Sequence, residues 1–175
     1  GLGGWHLACD ATDENAVANL RERKHRPTKP LALMVRNLEA ARKLAQVSED
    51  VARLLENPAR PIVLLKRLEN SPVAANVAGD LPEIGIMLPS TPVQHLIMHA
   101  CDKPLVMTSG NRSGEPIVAS DADALEALGH IADGFLGNNR AIVARYDDSV
   151  VRVAHDGSTQ LVRRARGYAP MPLLI

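Results

Sequence analysis

A chain of 175 residues, 46% of them hydrophobic, can bury one substantial core. Aromatics make up only 2%, so that core is built from Leu, Val, Ile, Ala and Met, which favours α/β layers over an aromatic-rich sandwich. Lys plus Arg total 20 and so do Asp plus Glu; zero net charge argues against bulk-charge binding to nucleic acid or membrane, and any basic function must be local.

Cys9 and Cys101 are too few for a disulfide framework and lack metal-ligand spacing, so no metal site is expected and a reduced, cytoplasmic setting is. No apolar run reaches membrane-spanning length. The chain opens without Met at Gly1-Leu2-Gly3-Gly4, close to a strand, and reads as a piece of something longer.

In chain order, residues 5–9 predict a short strand, followed by a helix with Thr12 as N-cap, Asp13 and Glu14 in its first turn, and Ala16, Val17 and Leu20 as its apolar stripe. Pro27 forbids its continuation, so it ends near Lys24 before a strand over 31–35. Asn37 and Ser48 cap two further helices, and 62–65 is a fully apolar strand. Residues 71–82 lack a clean period and predict a surface excursion; 84–88 returns as a strand. Thr91-Pro92 starts a helix with Val93, Leu96, Ile97 and Ala100 inward, leaving His95 and His99 on its surface. After the apolar run 104–107 and a polar loop, Ser120 caps a helix carrying Leu125 and Leu128. Strands are expected at 141–143, 150–153 and 160–163, the last two joined by a turn at His155-Asp156-Gly157-Ser158. The alternation predicts one domain over 1–175, an α/β fold with a twisted mixed sheet flanked by helices.

Two stretches carry chemistry. Thr108-Ser109-Gly110-Asn111-Arg112-Ser113-Gly114 follows a buried strand, and its hydroxyls, glycines and amide suit an anionic ligand, although Ser-Gly-Asn and Ser-Gly are also ordinary turn chemistry. Arg23-Lys24-His25-Arg26-Pro27-Thr28-Lys29-Pro30 packs cations into a helix-to-strand junction, where Lys24 and Arg26 would also fit a solvated helix C-terminus. Each stretch adds weight to the other as one phosphate site. Cys9 reads as a small core residue, and His6 as a structural histidine or a substrate-pocket residue.

Four segments together resemble the YrdC-like family, which includes the threonylcarbamoyl-adenylate synthases of tRNA modification. Lys24-His25-Arg26 matches its K-x-R element, Ser109-Gly110-Asn111 its S-x-N element, Asp148-Ser149-Val150-Val151 its D/P-S-T/V-x-V strand, and Met87-Leu88-Pro89-Ser90-Thr91-Pro92 its R/M-x-P-x-x-P segment. Within the family, the stretches from Gly1, Arg23 and Arg163 look most like the carbamoyltransferases of [NiFe]-hydrogenase maturation. The tRNA enzymes usually carry Thr-x-x-Tyr/Phe-Gly where this chain has Gly3-Gly4-Trp5-His6, a departure that favours a carbamoyl substrate.

The resemblance implies a YrdC-like fold and a fragment of a multidomain protein whose acylphosphatase-like domain, zinc motifs and transfer domain lie elsewhere. It implies that carbamate, released from carbamoyl phosphate, attacks the α-phosphate of ATP with Mg²⁺ to give carbamoyl-adenylate, the carbamoyl group then passing to a cysteine of HypE. By the same resemblance Lys24 and Arg26 are the catalytic cations, Thr108, Ser109, Asn111, Ser149 and Pro89 bind the acyl-adenylate, and His6 lines the substrate pocket. One of Arg163, Arg164 and Arg166 meets the nucleotide; Arg164 and Arg166 are carried as the candidates. Two rivals stay open: a threonylcarbamoyl-AMP synthase, and a module binding double-stranded RNA along the Lys24/Arg26 and Arg163 to Arg166 clusters.

Overall fold

In the computed structural model, which describes residues 1–172, seven strands form one sheet. They are β1 (His6–Asp10), β2 (Ala32–Met34), β3 (Ile62–Lys66), β4 (Glu83–Met87), β5 (Leu105–Ser109), β6 (Val150–Val153) and β7 (Thr159–Arg163), in the order β1-β5-β2-β4-β3-β6-β7. The pairs β2/β4 and β3/β6 are parallel and the other four antiparallel, so the expected mixed α/β sheet forms. The helices are α1 (Glu14–Arg23), α2 (Leu38–Arg42), α3 (Glu49–Glu56), α4 (Pro92–Cys101) and α5 (Asp121–Leu128).

Register divides the sheet into two unlike faces. Leu7, Val106, Leu33, Ile86, Val63 and Val151 share one face and join Val17, Leu20, Leu44, Leu55 and Leu128 of the helices in the larger core. On the other face Met34, Met87, Leu105 and Met107 meet Met98 of α4 in a smaller core. Beyond α4 this second face is uncovered, and a cavity lies there.

Five local expectations need correction. Asp13, not Thr12, caps α1: its carboxylate accepts from Asn15 N and Ala16 N, whereas Thr12 donates through both N–H and hydroxyl to Asp10 Oδ1, at 2.8 and 2.6 Å. Helix α4 buries Gln94 and Met98, leaving Leu96 68% exposed and Ala100 exposed. Its capping box spends the Gln94 amide on Ser90 and Thr91, which turns that side inward. Leu125 of α5 is likewise exposed, and Ala124 takes the buried position beside Leu128. Residues 141–143 pair with no strand, and Val143 is 96% exposed. Residues 71–82 are no surface excursion: a 3₁₀ turn at Ala75–Val77 drives Val73, Ala74, Val77 and Ala78 into the larger core.

Candidate active site

The cationic loop is set by how α1 ends. His25 N donates to Glu22 O and Arg26 N to Arg21 O, with His25 at φ +52°, which is a Schellman ending with a histidine where glycine is the usual residue. The reversal turns Lys24 inward and Arg26 back toward the sheet. His25→Gly should therefore stabilise the fold by about 0.5–1 kcal/mol, read as a raised midpoint in urea titration, because glycine adopts positive φ without Cβ strain.

Arg21, which sequence reasoning passed over, holds the loop in place. Its guanidinium donates to the carbonyls of Arg26, Pro27 and Lys29 on one side and of Asn76 and Val77 on the other, at 2.7–3.2 Å. The five backbone acceptors fasten the loop to the 3₁₀ turn, and no hydrophobic period announces such a contact.

Lys24 is 2% exposed, yet its ammonium has no carboxylate among its hydrogen-bond partners. Nζ donates to Ser109 O at 2.6 Å, Asn111 O at 2.7 Å and Asn111 Oδ1 at 2.9 Å. Burial first, then Arg26 and Lys29, push its pKa down to about 8. Ser109 donates its hydroxyl to Asn111 Oδ1, and Asn111 donates its amide to Glu115 O. Their donors thus face the loop, and a ligand would be met by exchanging these bonds. Arg26 donates to Pro30 O and, at 3.4 Å, to Thr108 Oγ1, and its pKa is lowered by burial, then by Arg21 and Arg163.

These groups rim a cavity of about 770 Å³ on the uncovered sheet face. Its floor is Ala32, Ile62, Leu64, Gly85, Met107 and Val150. Gly85 keeps the floor low: a Cβ there would lie 2.9 Å from Ile62 Cγ2. An apolar floor under a basic rim suits a planar ring carrying phosphates.

Lys24, Arg26, Thr108, Ser109, Asn111 and His6 all line this cavity, and so does Arg163. Ser149, Pro89, Arg164 and Arg166 do not. Ser149 is fully buried, donating to Arg166 O and accepting from Ala165 N, so it ties the C-terminal segment to β6. Pro89 is buried. Arg164 is exposed and donates to Met171 O. Arg166 donates to Asp148 Oδ1 at 2.8 and 2.9 Å and to the carbonyls of Ala59 and Arg60. Arg163 donates its Nε–H to Asp148 O and belongs to the same basic rim as Arg26.

His6 stands across from Ser109 in the β1/β5 register, its Nε2 3.8 Å from Asp148 Oδ2 and its Nδ1 buried without a partner. Burial holds its pKa down at about 4, so the ring is neutral. Cys9 packs against the larger core, and burial raises its thiol to about 11. His95 and His99 are exposed, and among the described residues no group of three His, Cys, Asp or Glu side chains converges to hold a metal.

Beyond His6, Met107 and Tyr146, the only residues common to both linings, lies a larger cavity of about 930 Å³. It carries neither Lys24 nor any residue of the 108–114 loop.

Residues 1–165 match the Sua5/YciO/YrdC family, described as "Telomere recombination". The chain is 48% identical over 175 residues to the carbamoyltransferase HypF of Synechocystis sp., covering all of this chain and 23% of that protein. It is 28% identical over 141 residues to the threonylcarbamoyl-AMP synthase of Pyrococcus abyssi, covering 79% of this chain and 39% of that one. A crystal structure of full-length HypF in its phosphate- and nucleotide-bound form superposes with a TM-score of 0.95 at 50% identity, over 100% of this chain and 28% of that chain. The chain thus spans about a quarter of the HypF proteins it matches.

Proposed function

The chain belongs to the Sua5/YciO/YrdC family, and from that premise we propose that its basic-rimmed cavity binds ATP and converts carbamate into carbamoyl-adenylate. A carbamate oxygen attacks the α-phosphorus, the bond from that phosphorus to the bridging oxygen of the β-phosphate breaks, and pyrophosphate leaves with the electron pair. No proton is needed for balance. In this reading residues 1–175 are one domain of a longer cytoplasmic carbamoyltransferase; carbamoyl phosphate supplies the carbamate, and a cysteine of HypE receives the carbamoyl group. Among the described residues no helix is long and apolar enough to cross a membrane.

The observation that carries the reading is Lys24, a buried cation facing only backbone and amide oxygens at the mouth of a nucleotide-sized cavity. An anion that arrives there gains a charge already stripped of water, while the carbonyls lose little. Arg26 and Arg163 add forks for phosphate oxygens, and Ser109 and Asn111 can turn their donors outward once Nζ is drawn to the ligand. Positioning and charge stabilisation are what adenylyl transfer asks of a protein, and in this reading the nucleophile is the carbamate oxygen rather than a protein side chain. Mg²⁺ enters on the triphosphate, whose charge it would shield, with Glu115, Asp147 and Asp148 the carboxylates lining the cavity. The closeness to HypF, against the lower identity to threonylcarbamoyl-AMP synthases, favours carbamate as the acid.

ATP with Mg²⁺ should raise the melting temperature, since a ligand bound only by the folded state stabilises it by about 2.7 kcal/mol at 100 times its Kd. GTP should do less. Differential scanning fluorimetry reads this, and a curve unmoved by millimolar ATP would remove the nucleotide from the proposal.

A further inference from the structure

We infer that Tyr146, seated on Gly3, is the wall that sets acyl specificity, admitting carbamate with an unsubstituted nitrogen and excluding one whose nitrogen carries an amino-acid residue. The inference rests on the adenylation reading and names the substrate class of that same site. The acyl group is joined to the α-phosphate, so it must lie next to the Lys24/Ser109/Asn111 network. His6, paired with Ser109 across β1 and β5, stands beside that network, and Tyr146 lines the same cavity.

Tyr146 can stand there only because position 3 has no side chain. A Cβ on Gly3 would lie 2.1 Å from Tyr146 O and 2.6 Å from its ring carbon Cδ2, and the backbone contact leaves nothing flexible to yield. Tyr146 N donates to Gly3 O at 3.3 Å, which pins the two segments together. Gly4 does the same for Ile117, since a Cβ there would meet its side chain at 2.3 Å. Arg145 Nε donates to Ile117 O at 2.9 Å and joins the two approaches. The Gly3-Gly4 pair therefore draws the cover of the cavity in from two sides, and the neutral, buried His6 ring fills the corner.

What lies behind this wall makes it testable. Tyr146, His6 and Met107 separate the 770 Å³ cavity from the 930 Å³ one, so removing the Tyr146 ring opens the acyl end into existing space rather than into packed protein. A larger acyl group would then have room, and loss of the wall should appear as activity gained on the larger acid.

The experiment measures pyrophosphate release by the full-length protein with ATP and either ammonium carbamate, or threonine plus bicarbonate, which form N-carboxythreonine. Wild type should prefer carbamate by about 10- to 200-fold or more, the range a steric pocket supplies. Tyr146→Ala should lower that preference at least about tenfold through a gain on N-carboxythreonine, whereas Tyr146→Phe, which keeps the ring, should retain it. Gly3→Ala, forced to displace Tyr146, should shift the preference in the same direction as Tyr146→Ala. If Tyr146→Ala keeps the wild-type preference while still releasing pyrophosphate with carbamate, the wall is overturned and the adenylation reading stands. If wild type releases no pyrophosphate with either acid, both fall together.

Discussion

Lys24→Ala should lower adenylate formation by roughly 10²- to 10³-fold, the loss expected when one preorganised donor is taken from a developing charge. Asn111→Ala should fall in the same range. The two share one hydrogen-bond network, so the double variant should lose clearly less than the sum of the single losses in free energy. Lys43→Ala is the control, because Lys43 is largely exposed and its ion pair to Glu39 lies on the α2 surface. ATP-dependent pyrophosphate release with carbamate, alongside melting curves, checks all four; two fully active single variants would remove the shared site. Sequence alone would place Lys24 at a helix end, where its loss would cost no stability. Buried as it is, its removal strands three acceptors, and Lys24→Ala should also lose roughly 1–3 kcal/mol.

The same burial sets a pH dependence. With a folded pKa of about 8 against an ordinary 10.5, Lys24 holds fewer protons in the folded chain than in the unfolded chain between those values. Keeping Lys24 protonated therefore costs stability below that window, and the cost is relieved as pH rises through it. An anion bound at Nζ raises the folded pKa, so ATP should bind with proton uptake near pH 8 and more weakly above it. Calorimetry in two buffers of different ionisation heat measures the uptake directly.

The second large effect separates three neighbouring arginines. Arg166→Ala should destabilise the fold by about 3–5 kcal/mol, because it leaves Asp148, 16% exposed, without its partner and strands the carbonyls of Ala59 and Arg60. At this chain length that is a fall of roughly 6–20 °C in melting temperature. Arg164→Ala, at an exposed position, should change neither stability nor nucleotide affinity. Arg163→Ala should weaken ATP binding with the melting temperature of the free protein nearly unchanged, since Arg163 alone of the three lines the cavity. Should Arg166→Ala stay folded and lose only nucleotide affinity, the structural role would be wrong.

Much of the architecture is legible in local chemistry. Ser48, Thr91 and Ser120 cap the helices they announce, and the apolar runs at 62–65 and 104–107 become the inner strands β3 and β5. These signals are legible because a cap or a two-residue alternation is decided within a few residues of chain. The errors have two causes, a partner that never arrives and a local competition between polar groups. Residues 141–143 have strand chemistry and no partner, and α4 turns Gln94 inward because its capping box uses that amide.

By itself the sequence determined the fold class, most of the helix starts and the two short motifs, Lys24-His25-Arg26 and Ser109-Gly110-Asn111, because caps, periodicity and short motifs depend on near neighbours. Only the tertiary structure decided that Arg21 fastens the cationic loop, that Ser149 and Arg166 serve the scaffold while Arg163 faces the cavity, and that Gly3 seats Tyr146 in the cavity wall. Each of those depends on which residues, from 16 to more than 100 positions apart, arrive at the same place. Register and tertiary packing settle that, and no local pattern encodes either.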